Sequence, residues 1–396
     1  MLSLDKVFNA QTVLKNIIRE TNVVRAYGIA PDCELYLKPE NLQITGSFKV
    51  RGSAYKIAML TDEEKKKGVI ACSAGNHAQG VALAATKNGI RSLICLPDSA
   101  PISKVEATKG YGAEVCLVEG CYDDAYAKAL ELRDSEGYTF VHPFDDENVI
   151  AGQGTIALEI LNDLDNIDAI VVPIGGGGLI SGIAYTVKQI RPSVKVYGVQ
   201  AAGAPSMYNS VNDREIECLP SVSTIADGIA VKKPGENTFR YVREYVDEIA
   251  LVTDDEVSSA ILALIEKQKM IAEGAGATAV AAVMFNKFDL KGKRVVAVVS
   301  GGNIDVTSLS RVIDRGLLKS GRSSSLLIEL IDKPGQLKEI SRIIADCGGN
   351  VTGVHYEKGD TESVNGCFLR IEMETRDFEH VNLITKTLRD EGFKLV

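Results

Sequence analysis

"DAIVVPIGGGGLISGIAYTVKQI", residues 168–190, joins a short apolar run to four consecutive glycines and then to apolar residues at helical spacing. By period this is a strand, a tight backbone turn and a helix. A strand this apolar, with no polar face, belongs in a parallel sheet covered on both sides. The same rhythm runs outward in both directions. Before it stand "ELYLKP" (34–39), a helix through "VRGSAYKIAML" (50–60), "GVIACS" (68–73), a helix from "HAQGVALAATK" (77–87), "RSLICLP" (91–97), "AEVCLVEG" (113–120) and "YTFVHP" (138–143). After it come "VKVYGVQ" (194–200), one long helix through "DDEVSSAILALIEKQKMI" (254–271) and the strand "RVVAVVS" (294–300). Alternating strand and helix periods predict an α/β unit of parallel strands with helices on both faces, in two lobes.

The Ser, Gly, Lys and Arg stretch "LLKSGRSSS", Leu317–Ser325, interrupts this pattern and reads as a domain boundary. It closes a domain over residues 1–320, with a smaller lobe at roughly 50–150, and opens a second over 325–396. The second carries a strand "LLIELID", a turn "KPG", a helix "QLKEISRIIADCG", a strand "NVTGVHYE", a polar loop "KGDTESVNG", a strand "CFLRIEMET" and a helix "HVNLITKTLRDEG". This βαββα run predicts a ferredoxin-like accessory fold.

The 396 residues exceed one ordinary core. With 53 acidic against 44 basic side chains the formal net charge is -9, and no run of Lys and Arg forms a stripe, so a nucleic-acid partner is not expected. Apolar stretches fall short of the roughly 18 residues of a membrane span, and "MLSLDKVFNA" lacks the basic start and apolar core of a signal peptide. A cytoplasmic protein is expected. Cysteines at 33, 72, 95, 116, 121, 218, 347 and 367 show no CxxC pair and no zinc spacing, and read as buried thiols in a reducing compartment, with no metal site.

Four short stretches carry chemistry. In "TGSFKVRG" (45–52), Thr45, Gly46 and Ser47 supply turn and capping chemistry, which places Lys49 in the first turn of a helix. There the helix dipole, the nearby Arg51 and burial behind Phe48 all disfavour an ammonium, so Lys49 is a candidate amine nucleophile. Alone it reads as an ordinary solvated lysine. In "CSAGNHAQG" (72–80) a helix opens after a strand, and the backbone N–H groups across Ser73, Ala74, Gly75, Asn76 and His77 form an anion site that suits a carboxylate as well as a phosphate. By itself Asn76 could equally be a helix cap, and His77 a structural histidine. Gly175, Gly176, Gly177 and Gly178, followed by Leu179, allow a close backbone wrap around an anion. A dinucleotide fingerprint is missing: its third glycine would fall on Ile180 or Ser181, and the next strand ends in Gln200. A lone phosphate fits better, with a merely structural tight turn, where a helix packs close to a strand, as the other reading. Finally "VVAVVSGGN" presents Ser300 at the carboxyl end of a buried strand.

An amine, a phosphate cup, a carboxylate loop and a strand-end hydroxyl on one side of a parallel sheet suit pyridoxal 5'-phosphate acting on an amino acid. "GSFKVRG", "SAGNHAQG", "GGGGL" and "SGGN" occur in an order and spacing that resemble the threonine dehydratases, or threonine ammonia-lyases, of the tryptophan-synthase-β-like class (fold type II). The likeness covers about residues 1–320. It implies that Lys49 holds the cofactor covalently and later removes the substrate's α-proton. It also implies that Phe48 and Asn76 contact the cofactor ring and its phenolic oxygen, that Gly175–Gly178 with Leu179 hold its phosphate, and that Ser300 meets its pyridine nitrogen. Ser73 to His77 would then bind the substrate carboxylate. The implied reaction is β-elimination of L-threonine to 2-oxobutanoate and ammonia, with L-serine as a second substrate. One methyl separates the two, worth only about 1 kcal/mol in a pocket.

From Ser325 on, "DKPGQL" and "GGNV" resemble an ACT domain, a regulatory module that commonly binds amino acids. That implies an amino-acid effector, with isoleucine, valine or none left open, at Asp332, Gly335 and Asn350, and a homodimer or homotetramer. Those residues read equally as turn and cap residues. Serine racemases share the main motifs, but resemble one another in a serine where this chain has Ala74, and in acidic metal ligands where it has Gln200 and Ser206. Cysteine and threonine synthases resemble one another in an Asp after the lysine, where Val50 stands here. A non-catalytic amino-acid sensor on the same scaffold is the reading from another class.

Overall fold

The structure, a computed structural model, describes residues 1–357 and 366–396. The chain divides into two compact units, residues 1–306 and 307–396. The first contains two sheets. The larger is built from β1 (Val24–Arg25), β2 (Glu34–Pro39), β7 (Ala169–Pro173), β8 (Lys195–Ala201), β9 (Glu248–Val252) and β10 (Arg294–Val299), in the order β1-β2-β10-β7-β8-β9. The smaller holds β3 (Val69–Cys72), β4 (Ser92–Pro97), β5 (Glu114–Val118) and β6 (Thr139–Phe140), in the order β5-β4-β3-β6. All pairings in both are parallel except the two-residue edge ribbon β1–β2.

The apolar run that opens the sequence reading becomes β7, buried along its whole length, and Val295–Val299 of β10 is fully buried beside it. Helices Gly178–Ile190 and Glu147–Asp163 cover one face, and the helix Gly274–Met284, rich in Ala and Gly, packs on the other. Small side chains let that helix lie close: a Cβ at Gly276 would come within 2.1 Å of the Gly301 carbonyl. The single long helix expected over 254–271 is instead an α-helix, Asp254–Ala263, that widens into a π-helical turn over Leu264–Gln268 and stops at Lys269, whose φ of 58° is left-handed.

A charged cluster is buried under the larger sheet. Arg51 sends Nε to Glu40 Oε2 at 2.8 Å, Nη2 to Glu40 Oε1 at 2.8 Å and Nη1 to Glu159 Oε1 at 2.5 Å; Lys38 Nζ meets Glu159 Oε2 at 2.6 Å. Two cations and two carboxylates neutralise one another there, with Thr21 bonded to Glu40 and Lys38 at the rim. The bidentate fork of Arg51 ties the helix Lys49–Ala58 to the end of β2 and to the helix Glu147–Asp163.

The thiols differ from expectation. Cys72, Cys95 and Cys367 are buried, but Cys33, Cys116 and Cys347 are half-buried and Cys121 and Cys218 are exposed; all eight are free. Burial pushes the Cys72 and Cys95 thiols up to about 12, so the two are poor nucleophiles.

The second unit begins inside the helix Val306–Lys319 and continues as β11 (Ser323–Ile331), the helix Gln336–Asp346, β12 (Asn350–Glu357), β13 (Gly366–Glu374), the helix Phe378–Asp390 and β14 (Lys394–Leu395). Its antiparallel sheet has the order β12-β13-β11-β14, over a core that includes Ile328, Ile344, Leu369 and Ile384. The closing β14 completes a βαββαβ ferredoxin-like fold, one strand beyond the run read from the sequence. Nearly all of the expected polar loop "KGDTESVNG" lies outside the described residues.

Candidate active site

Lys49 is the first residue of its helix, as the spacing predicts, but the cap differs: the N-cap is Phe48, and neither Thr45 nor Ser47 caps with its side chain. The Ser47 hydroxyl is buried and has no hydrogen-bond partner among the described residues. The Lys49 ammonium donates to the Pro143 carbonyl at 2.9 Å and lies 5.3 Å from the Phe48 ring centre. Burial lowers its pKa to about 8, against the opposing pull of the Glu273 carboxylate. Arg51 has no part in this, contrary to the expectation above, because its guanidinium turns away into the Glu40–Glu159 cluster. A lysine at this value is a usable amine near neutral pH. Cofactor capture by the cofactor-free protein is therefore expected to speed up as pH rises through about 8, where an ordinary lysine would wait for about 10.4; stopped-flow absorbance at a series of pH values reads this directly.

The loop before Lys49 is stitched to the end of β10. Phe48 N–H donates to the Ser300 carbonyl at 3.1 Å, Gly302 N–H to the Gly46 carbonyl at 2.9 Å, and Asn303 Nδ2 to the Thr45 carbonyl at 2.7 Å. Among the described residues the buried Ser300 hydroxyl has only a long 3.4 Å contact to the Ala275 carbonyl. Its weakly engaged hydroxyl is thus available to another partner.

The carboxylate loop follows β3. Ser73 Oγ accepts from Gly75 N–H at 3.2 Å, and the helix Asn76–Lys87 begins with no side-chain cap, leaving its first N–H groups without intrahelical acceptors. Asn76 is not a cap. Its Nδ2 donates to Glu273 Oε1 at 2.7 Å and its Oδ1 accepts from Asn303 Nδ2 at 2.7 Å. The His77 ring is buried, bonded through Nε2 to the Val141 carbonyl at 2.8 Å, and burial with the nearby Lys49 charge lowers its pKa to about 3. Its side chain is structural, and only its backbone N–H faces the loop's helix end.

The glycine cup follows β7. Among the described residues the N–H groups of Gly175, Gly176 and Gly177 donate to nothing, while Gly178 and Leu179 open the helix that follows. The space is made by neighbours as much as by dihedrals. A Cβ at Gly176 would strike the Phe144 ring at 2.5 Å, and only Gly177, with φ of 97°, needs a glycine backbone. Gly177→Ala would also press on Met207 and Thr238 at 2.7 and 2.8 Å. We expect this substitution to weaken cofactor affinity roughly tenfold or more, about 1.4 kcal/mol, as measured by fluorescence titration.

These groups come from carboxyl ends of strands in two sheets, β3 in the smaller and β7 and β10 in the larger, not from one sheet as the sequence reading had it. Glu273, Asn303 and Pro143 were missed. The available signal was an acid heading the small-residue helix "GAGATAVAAVM", where a buried carboxylate needs a reason. In the second unit Gly335 has φ of 98° and caps the helix Gln336–Asp346, and Asn350 donates to Glu374 Oε2 at 2.9 Å.

A profile of the family described as pyridoxal-phosphate dependent enzyme matches residues 14–301. The chain belongs to this pyridoxal-phosphate dependent family. A relative from Thermotoga maritima named L-threonine ammonia-lyase is 48% identical over 100% of this chain and 99% of its own length. The solved structure of a processed threonine deaminase isoform 2 from Solanum lycopersicum matches with a TM-score of 0.76 at 37% identity, over 80% of this chain and 90% of that one. Maize serine racemase matches with a TM-score of 0.75 at 34% identity, over 80% and 98%. The site fits the family's cofactor: unpaired glycine N–H groups suit its phosphate, an amine of lowered pKa suits its carbonyl, and the orphaned Ser47 and loosely held Ser300 hydroxyls leave polar partners open. Among the described residues no helix is long and apolar enough to cross a membrane.

Proposed function

We propose that the protein is a pyridoxal phosphate-dependent L-threonine ammonia-lyase that releases 2-oxobutanoate and ammonia, with L-serine as a second substrate giving pyruvate. The observation that carries this is the end-to-end likeness to the Thermotoga relative. The lowered pKa of Lys49, whose neighbouring carboxylate Glu273 also holds Asn76, supports it. When bound, the cofactor supplies an electron sink at the substrate's α-carbon. Lys49 would hold it through Nζ, and the same atom would take the α-proton. The N–H groups at Ser73–His77 bind the substrate carboxylate. Phe48 and Asn76 line the cofactor ring, and Gly175–Gly178 with Leu179 hold its phosphate. Ser300, a neutral hydroxyl, would meet the cofactor's pyridine nitrogen without supplying a full counter-charge. Ala74, which cannot move a proton, supports elimination over racemisation.

In this reading residues 1–320 form the catalytic domain and 325–396 a regulatory ACT domain. Asp332, Gly335 and Asn350 lie toward its amino-acid effector, in a cytoplasmic homo-oligomer. The test is 2-oxo acid release from L-threonine and L-serine by the purified protein, alone and with isoleucine or valine. Release from threonine is expected; bound cofactor with no 2-oxo acid would sink the lyase, and rates unmoved by isoleucine or valine would sink that regulation.

A further inference from the structure

Glu273 is 5% exposed, and nothing in the reaction described so far uses it. It stands at the N-cap of the helix Gly274–Met284, yet its side chain makes no capping bond. Its backbone N–H goes to the Gly301 carbonyl at 3.1 Å, and its carboxylate reaches across to Asn76. Gly301 leaves the room for this, since a Cβ there would lie 2.3 Å from Glu273 Oε1.

A side-chain amide can face either way, and its neighbours decide. Asn303 Nδ2 spends both hydrogens as a donor, to the Thr45 carbonyl and to Asn76 Oδ1, each at 2.7 Å, so the Asn76 oxygen must face Asn303. Asn76 Nδ2 then faces Glu273 and gives it one hydrogen. The second hydrogen has no acceptor among the described residues. We propose that Glu273 is a positioning residue for the reaction: with Asn303 it locks the Asn76 amide in one orientation, so that the remaining Nδ2 hydrogen is presented to the cofactor's phenolic oxygen. This rests on the reading that Asn76 lies against the cofactor, and is independent of which amino acid is the substrate.

The lock is sensitive to charge. Burial and the neighbouring Asp227 raise the Glu273 pKa to about 7, against the Asn76 hydrogen bond and the Lys104 and Lys49 charges. Above that value Glu273 is a carboxylate and a strong acceptor; below it, a neutral acid and a weaker one.

The experiment follows the absorbance of the bound cofactor on either side of pH 7 in the holoenzyme, its E273Q, E273D and N76A variants and the E273Q/N76A double variant. The wild-type spectrum should change through an inflection near pH 7, E273Q should lose the inflection, and E273D should keep it. E273Q should change nothing further once Asn76 is gone, and should lower kcat while KM for L-threonine stays within about twofold. An inflection that survives E273Q, or an equal E273Q effect with and without Asn76, overturns the proposal. Should E273Q fail to retain cofactor, an inflection lost in E273D overturns it equally. The spectral readings need no turnover, so a protein that releases no 2-oxo acid from threonine defeats the functional reading while the spectra still decide this one.

Discussion

Lys49→Ala is expected to lower 2-oxo acid release from L-threonine by on the order of 10⁴-fold or more, because one atom is lost from two roles, holding the cofactor and moving the α-proton. The fold should survive. Among the described residues Lys49 Nζ makes one hydrogen bond, to the Pro143 carbonyl, and the packing of its helix rests on Val50, Ala54 and Ile57, all fully buried. Lys49→Arg is the informative companion, since a guanidinium keeps the cation but cannot shed its proton, and it should be as inactive as the alanine variant. Initial rates set beside urea midpoints separate chemistry from stability. An alanine variant that retains a tenth of the activity would remove Lys49 from the mechanism.

Arg51→Met is expected to act on stability instead, by about 3–5 kcal/mol. The methionine fills much of the volume, but Glu40 would remain buried without its main cation, and Glu159 would keep only Lys38. In the native protein burial pushes the Glu40 pKa up, and the charge and hydrogen bonds of Arg51 outweigh it, so the net shift is downward. A carboxyl whose folded pKa is depressed contributes stability above its unfolded value near 4.3, and loses it as pH falls through the folded value. Without Arg51 only the Lys38 charge and the Thr21 hydrogen bond oppose burial, Glu40 protonates more easily, and the variant's deficit should shrink as the solution is acidified. Denaturant midpoints at neutral and mildly acidic pH measure both parts. A deficit below about 1 kcal/mol, or one that grows in acid, would show that the cluster does not hold the helix as described.

The strands were legible because a run such as "VVAVV" has no polar face to show to solvent, and burial on both faces follows from that composition. Lys49 was legible at the start of its helix because Val50, Ala54 and Ile57 carry the period. The environment of Lys49 was not. Arg51, two residues away, was read as a cation pressing on the lysine, yet its partners come from the end of β2 and from the helix Glu147–Asp163, and no local pattern tells a reader where a guanidinium turns. Glu273 was invisible for the same reason: its meaning depends on Asn76 and Gly301, which only the fold brings to it. His77 read evenly as a ligand or a structural group, and the Val141 carbonyl decides for its ring. β1 and β14, two residues each, are too short for any period to show.

The pairing of β2 with β10 also constrains when this protein can become active. Glu34–Pro39 aligns with Arg294–Val299 residue for residue, and the loop carrying Lys49 is tied to Ser300, Gly302 and Asn303 just beyond. During synthesis the first partner emerges long before the second, so β2 waits with an unpaired edge while the intervening chain is made. Closing so long a loop is a slow step for a folding chain. A chain cut short before β10 should contain Lys49, Asn76 and the glycine cup and still hold no cofactor, while exposing the flank of β2 to aggregation.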